Sequence, residues 1–324
     1  MRHVIAALAA GLSLISAQTS ASAAEKVRLA QNLSPISATV IIAKQKGFFA
    51  KHGLDVEVSN FTSGKKCLDT VLGGGADIAT TAEAPTTAAA MSKQPIAFLA
   101  RMEYSDLKTL VAADAKIGGP ADLKGKKIGY TAGTGGEVYT MTLLKKAGLK
   151  PTDVSLTNLP PQGMVAAMAA GSIDAFNTWE PHISNGLKVL GGKAKLIDTK
   201  GVYSETFNIV VMQDWLAKNP ATADKFLSAA IEAEGWMKAN KTEAIKAVAE
   251  AVSMKEDELS AIWSEYVFDL VLDDKQLAVL KAHAEWRLES GNHPPNATMP
   301  DFSKVIFADP LRRVAKDRVK FSGL

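Results

Sequence analysis

Residues 174–181, DAFNTWEP, lie over residues 77–85, DIATTAEAP, at an offset of 97 positions that holds as far as the two glutamates, Glu83 and Glu180. A proline follows closely in both copies, Pro85 and Pro181. The match is short, and its weight comes from its placement. Upstream of the first copy, strand-like residues 27–30 and 54–58 flank a helical pattern at 38–52. A helix at 67–72, stopped by Gly73-Gly74-Gly75, leads into a strand at 77–80. Upstream of the second copy the order repeats: strand 127–130, helix 136–146, strand 154–158, helix 164–169 stopped by Gly171, strand 173–177. Strands alternating with helices build parallel βαβ units, so two such segments predict an α/β chain of two lobes. Open α/β sheets bind ligands beyond the carboxyl ends of their strands. The candidate loops are therefore 32–39, 61–66 and 81–85 in the first lobe, and 131–137, 159–163 and 178–182 in the second.

A chain of 324 residues with 47% hydrophobic and 22% charged residues is long enough for two cores. The net charge of +3 is scattered along the chain, which argues against a nucleic-acid face. Arg2 and His3, the apolar run 4–15 and the small residues Ala21-Ser22-Ala23-Ala24 form a signal-peptide pattern over residues 1–24. The mature chain is expected to begin near Ala24 or Glu25 and to be periplasmic. No later run reaches the roughly 18 apolar residues of a membrane helix. A single cysteine, Cys67, excludes an intrachain disulfide and is expected to be a small buried residue on a helix. No cysteine stands at the end of the signal, which argues against a lipid anchor. From residue 221 the pattern turns helical, at 223–240, 242–252, 256–266 and 274–290, with Trp236, Trp263 and Trp286 expected in the core.

The glycine-rich turn Gly133-Thr134-Gly135-Gly136-Glu137-Val138 fits neither nucleotide motif. A dinucleotide fingerprint needs a third glycine where Val138 stands, and a phosphate-binding P-loop must end in Gly-Lys-Ser/Thr. Free N–H groups at a helix start favour a negative group such as a sulfonate, nitrate or carboxylate. Glu137 either caps that helix or meets a ligand cation. Trp179 and Glu180 either form a stacking platform and an acceptor for a ligand, or pack one domain on another. His52, His182, His283 and His293 lack metal-ligand spacing, and no G-x-S-x-G or S-x-x-K motif is present. No catalytic, metal or cofactor residue is assigned, and an enzyme is the weaker class.

Several segments together resemble the periplasmic solute-binding proteins of ABC importers for nitrate, alkanesulfonates and taurine, which share a fold with thiamine-precursor-binding proteins. They are Gly47-Phe48-Phe49-Ala50-Lys51-His52-Gly53-Leu54, Gly74-Gly75-Ala76-Asp77-Ile78-Ala79, Asp122-Leu123-Lys124-Gly125-Lys126-Lys127-Ile128, Ala147-Gly148-Leu149-Lys150-Pro151-Thr152-Asp153-Val154, Leu159-Pro160-Pro161, Ala170-Gly171-Ser172-Ile173-Asp174-Ala175 and Trp179-Glu180-Pro181. The resemblance implies a hinged, two-lobed type II binding-protein fold, each lobe a βαβ sheet flanked by helices. Residues 25–111 and 210–324 would form lobe 1, with the C-terminal helices packing on it, and 112–209 lobe 2. The chain would cross between them near 109–113 and 207–212. Ser34, Ser37, Ala38, Thr81, Glu83, Thr134, Gly135, Gly136, Glu137, Trp179, Glu180 and the run Glu205 to Asn208 would face the ligand. Such proteins close on a small molecule and present it to an inner-membrane permease, here as a monomer without a cofactor. Glu83, Glu137 and Glu180 together would repel bare nitrate. They suit a zwitterion such as taurine, or a nitrogenous ligand such as a thiamine-precursor pyrimidine, unless Lys65, Lys66 or Arg101 offsets them. Enzyme or sensor roles on the same fold, and nitrate or aromatic-acid ligands, are the alternatives.

Overall fold

The computed structural model describes residues 24–321. The expected signal peptide, residues 1–24, lies almost wholly outside them. Twelve strands form among the described residues: β1 (Glu25–Asn32), β2 (Leu54–Phe61), β3 (Ile78–Ala82), β4 (Ile96–Asp106), β5 (Lys108–Ala112), β6 (Lys127–Tyr130), β7 (Ser155–Asn158), β8 (Ala175–Thr178), β9 (Ala194–Leu196), β10 (Ser204–Met212), β11 (Val267–Asp273) and β12 (Val319–Lys320). They make two sheets, ordered β12-β11-β4-β10-β3-β1-β2 and β7-β6-β8-β5-β9. Each sheet is the base of one lobe.

The sequence repeat maps onto equivalent places in the two sheets. β3 lies parallel to β1, with Leu29 opposite Ile78, and β8 lies parallel to β6, with Ile128 opposite Ala175. On its other side each repeat strand takes an antiparallel neighbour, β10 for β3 and β5 for β8. Both repeat strands are buried at every position, because each lies inside a mixed sheet with helices packed against it. Burial on both faces also explains why these strands lack apolar–polar alternation.

The crossings between the sheets fall elsewhere than expected. β4 ends at Asp106 and β5 begins at Lys108, so Leu107 alone joins the sheets there; the return runs from Leu196 to Ser204. The apolar runs 109–113 and 207–212 belong mainly to β5 and to β10, and their apolarity comes from lying inside sheets rather than from a hinge. The expected helix at 38–52 is two, Ala38–Gln45 and Phe48–Lys51, separated where Gly47 takes a left-handed φ of 74°. Near the C-terminus, helix Glu256–Ile262 ends earlier than expected, and the following run forms β11 against β4.

The C-terminal helices pack on the larger sheet. Helix Pro220–Ala239 lies against Ala38–Gln45, and the rings of Phe49 and Phe226 stack at 4.9 Å. Cys67 is fully buried in helix Gly64–Leu72, where burial pushes its thiol pKa up. Trp263 is buried against Phe268 and Trp236 packs against the same core. Trp286 is different: it lines a groove of about 510 Å³ between helix Asp274–Ser290 and helix Gly135–Lys146 of the other lobe. Its place on a face turned toward the second lobe keeps it out of the core. No helix of the described residues is long and apolar enough to cross a membrane.

Candidate functional site

The carboxyl ends of β1, β3, β6 and β8 converge where the lobes meet. Ser34 caps the 3-10 turn Pro35–Ser37, and its hydroxyl donates across the gap to the backbone carbonyl of Glu180 at 2.7 Å. Lys108, at the start of β5, is held by Glu180 at 3.2 Å and by Glu265 of the first lobe at 2.6 Å. Asn292 donates to Glu137 at 3.1 Å. Between these contacts Ser34, Ser105, Trp179, Glu180, Glu265 and Tyr266 help line a cavity of about 10 Å³. The lobes are drawn together over it.

Among the expected site residues, several hold the loops in shape. Thr134 caps helix Gly135–Lys146, accepting from the Gly136 N–H at 3.1 Å and donating to Thr131 at 2.7 Å. Glu137 accepts from the Gly133 N–H at 2.8 Å with one oxygen and from Asn292 with the other, so both oxygens are taken by protein donors. Of its two readings, the capping one fits this geometry. Ser37 lies 3.3 Å from Thr80, and Ala38 is fully buried. Glu180 also accepts from the Ser184 N–H at 2.9 Å, closing the turn into the next helix.

Others keep unused polar atoms. Trp179 is 7% exposed, lies over Gly136 so that a β-carbon there would sit 3.5 Å from its ring, and has no partner for its indole N–H. Thr81 Oγ1 and Asn208 Oδ1 are buried without a partner on adjacent strands, where the two residues are opposite each other. Gly135 sits directly against Glu205 of the first lobe: a β-carbon there would overlap the carboxylate and lie 3.0 Å from its Cδ. The space before the glycine-rich helix is occupied by the chain's own carboxyl group.

Glu83 turns into a network of protein donors. It accepts from the Thr206 N–H at 2.7 Å, from the Thr206 hydroxyl at 2.8 Å and from Tyr203, whose hydroxyl is also 3.1 Å from His283 Nε2. Burial raises its pKa to about 7 despite these bonds, and burial lowers that of His283 to about 3.

Sequence reasoning missed Glu103, whose two oxygens are buried without a partner. Burial pushes Glu103 well up, and the nearby Glu205 adds to the shift; Glu205 is pushed up by burial and then by Glu83. The available signal was a glutamate inside the otherwise mostly apolar β4 segment IAFLARMEYSD. Arg101 is engaged by Asp269 at 3.6 Å and Asp273 at 3.2 Å through its terminal nitrogens, and its Nε has no partner. Lys65 pairs with Asp69 at 2.6 Å. Among the described residues no group of three or more His, Cys, Asp or Glu is placed to hold a metal ion.

Residues 34–244 match the family model described as NMT1/THI5 like, a span that includes both repeat copies and both walls of the cleft. The chain belongs to the NMT1/THI5-like family. Within it, a binding protein of Brucella abortus (strain 2308) is 30% identical over 207 residues, 63% of this chain and 64% of that protein. The match thus spans less than two thirds of that relative's length. The taurine-binding periplasmic protein of Escherichia coli (strain K12) is 29% identical over 197 residues, 60% of this chain and 61% of that one. The alkanesulfonate-binding protein SsuA of Xanthomonas axonopodis pv. citri, solved bound to MOPS, superposes with a TM-score of 0.77 at 18% identity, covering 87% of this chain and 98% of that one. At that identity the likeness shows the fold, which the NMT1/THI5-like chain shares with periplasmic binding proteins.

Proposed function

We propose that the chain is the periplasmic substrate-binding component of an ABC importer, capturing a small organic solute in the cleft between its lobes. Taurine or another sulfonate, or a related nitrogen-containing compound, is the ligand class. The observation that carries this reading is the Ser34–Glu180 bond joining the two lobes beside an unpartnered indole N–H, a contact that hinge opening would break to admit a small molecule. The taurine-binding relative supports both the ligand class and the compartment. In this reading the protein works as a monomer, delivers ligand to an inner-membrane permease and needs no cofactor. Equilibrium binding of a sulfonate and amine panel to the mature protein tests it; saturable binding to a wild-type cleft that Trp179→Ala weakens several-fold is the expected result.

A further inference from the structure

We propose that Glu103 and Glu205 form a seat for a protonated nitrogen, so that the compound held in the cleft carries an ammonium or amidinium group at that end. The proposal rests on the solute-binding reading and names the chemistry of its ligand.

The two acids stand on neighbouring strands. In the register of β4 against β10, Glu103 is opposite Phe207 and Glu205 is opposite Ser105, two residues along the same pair of strands and so on the same face. Glu103 is fully buried and Glu205 is 3% exposed. Neither oxygen of Glu103 meets a donor, and the Glu205 carboxylate lies against Gly135 of the second lobe. Buried carboxyl groups left without donors are costly, and a like pair is more so. Of the nearby protein cations, Arg101 pairs with Asp269 and Asp273 through its terminal nitrogens while its Nε has no partner, and Lys108 pairs with Glu180 and Glu265. A cation brought by the ligand is the partner that the pair lacks.

A second, independent feature lies on the wall of the same cleft. Trp179, with its buried and unpartnered indole N–H, shares the interlobe cavity with Ser105, which stands opposite Glu205, and with Tyr266, which precedes the strand paired with Glu103. Carboxylates accept from nitrogen, and an indole N–H donates to an acceptor. A compound with a cationic end and an acceptor end satisfies both, whereas a bare anion leaves the acids without a partner.

The test uses mature protein freed of bound ligand by unfolding and refolding, titrated by calorimetry with matched probes: taurine against ethanesulfonate, and benzamidine against benzoate. The expected result is at least tenfold tighter binding of one amine- or amidine-bearing probe over its partner. Glu103→Gln and Glu205→Gln are each expected to weaken that probe at least tenfold, with a ligand-free melting temperature equal to or above wild type, since each replaces a buried acid that is costly to ionise. Two separate variants guard against one that does not fold. Equal or tighter binding of ethanesulfonate or benzoate, or undiminished affinity in both variants, overturns the cation seat while leaving solute binding in place. Failure of every probe to bind wild type overturns both.

Discussion

Glu205 of the first lobe and Gly135 of the second are in such close apposition that no side chain fits between them: a β-carbon on Gly135 would overlap the carboxylate and lie 3.0 Å from its Cδ. Gly135 is therefore set by the approach of the lobes. Its φ is not in the left-handed region, so space and not backbone freedom explains the glycine. Gly135→Ala is expected to hold the lobes apart, giving a larger radius of gyration in small-angle scattering than wild type. Adding Glu205→Ser, which removes the obstructing carboxylate, is expected to restore compaction. A Gly135→Ala protein as compact as wild type would show that Glu205 moves aside freely.

The Ser34 hydroxyl bond to the Glu180 carbonyl crosses the same gap at 2.7 Å and is buried. A neutral hydrogen bond of this kind contributes about 1 kcal/mol net, close to a fivefold change in an equilibrium. Ser34→Ala is expected to lower the closed population by about that factor, read by energy transfer between dyes on the two lobes. The thermal stability of each lobe should change little, because the bond joins them and belongs to neither core.

The pH response follows from four buried groups and the half-buried His182, whose pKa is lowered to about 4 by burial and which acts with the same sign as His283. Glu83, Glu103 and Glu205 have pKa values raised above the ordinary 4.5 by burial, Glu83 to about 7. Above 4.5 the unfolded chain has released protons that the folded chain still holds, so their contribution to stability falls as pH rises. His283 has the opposite sign. Its pKa is lowered from 6.5 to about 3, so below 6.5 the unfolded chain takes up a proton that the folded chain refuses. Between 4.5 and 6.5 both histidines oppose the acids. His283→Gln is expected to steepen the loss of stability from pH 5 to pH 6.5, by up to about 1.4 kcal/mol per pH unit, in urea unfolding of the ligand-free protein. A variant whose stability rises over that range contradicts this assignment.

Much of the architecture was legible because it follows from local signals. The offset between DIATTAE and DAFNTWE located two equivalent buried strands, and glycines ended helices where backbone turns required them. The crossings were misplaced because an apolar extended run has the same composition in a sheet interior as in a hinge, and only the pairing of β5 and β10 separates the two. Thr134, Trp179 and Glu180 were named as candidates from their place after strands, which is a property of sequence order. Glu103 was not, since only the cross-strand register of β4 with β10 brings it beside Glu205. Likewise nothing local to Glu137 announces that Asn292, 155 positions away, donates to it.

The second lobe has a buried polar network that can be weighed by itself. The Tyr139 hydroxyl lies 2.7 Å from both Thr109 and Thr199, and Thr109 in turn donates to Asn177 at 2.7 Å. Tyr139→Phe leaves buried hydroxyls short of a partner and is expected to cost about 1–3 kcal/mol, seen as a lower denaturation midpoint. A midpoint within error of wild type would mean that the threonines satisfy each other without it.

The central claim is that the interlobe cleft captures a small solute, and thermal unfolding of refolded, ligand-free mature protein across a panel of sulfonates, amines, amidines and pyrimidines tests it most directly. A ligand present at 100 times its dissociation constant stabilises the folded chain by about 2.7 kcal/mol. The account predicts that at least one compound raises the melting temperature by several degrees and that Trp179→Ala loses most of that rise. A wild-type melting temperature unmoved by every compound contradicts it.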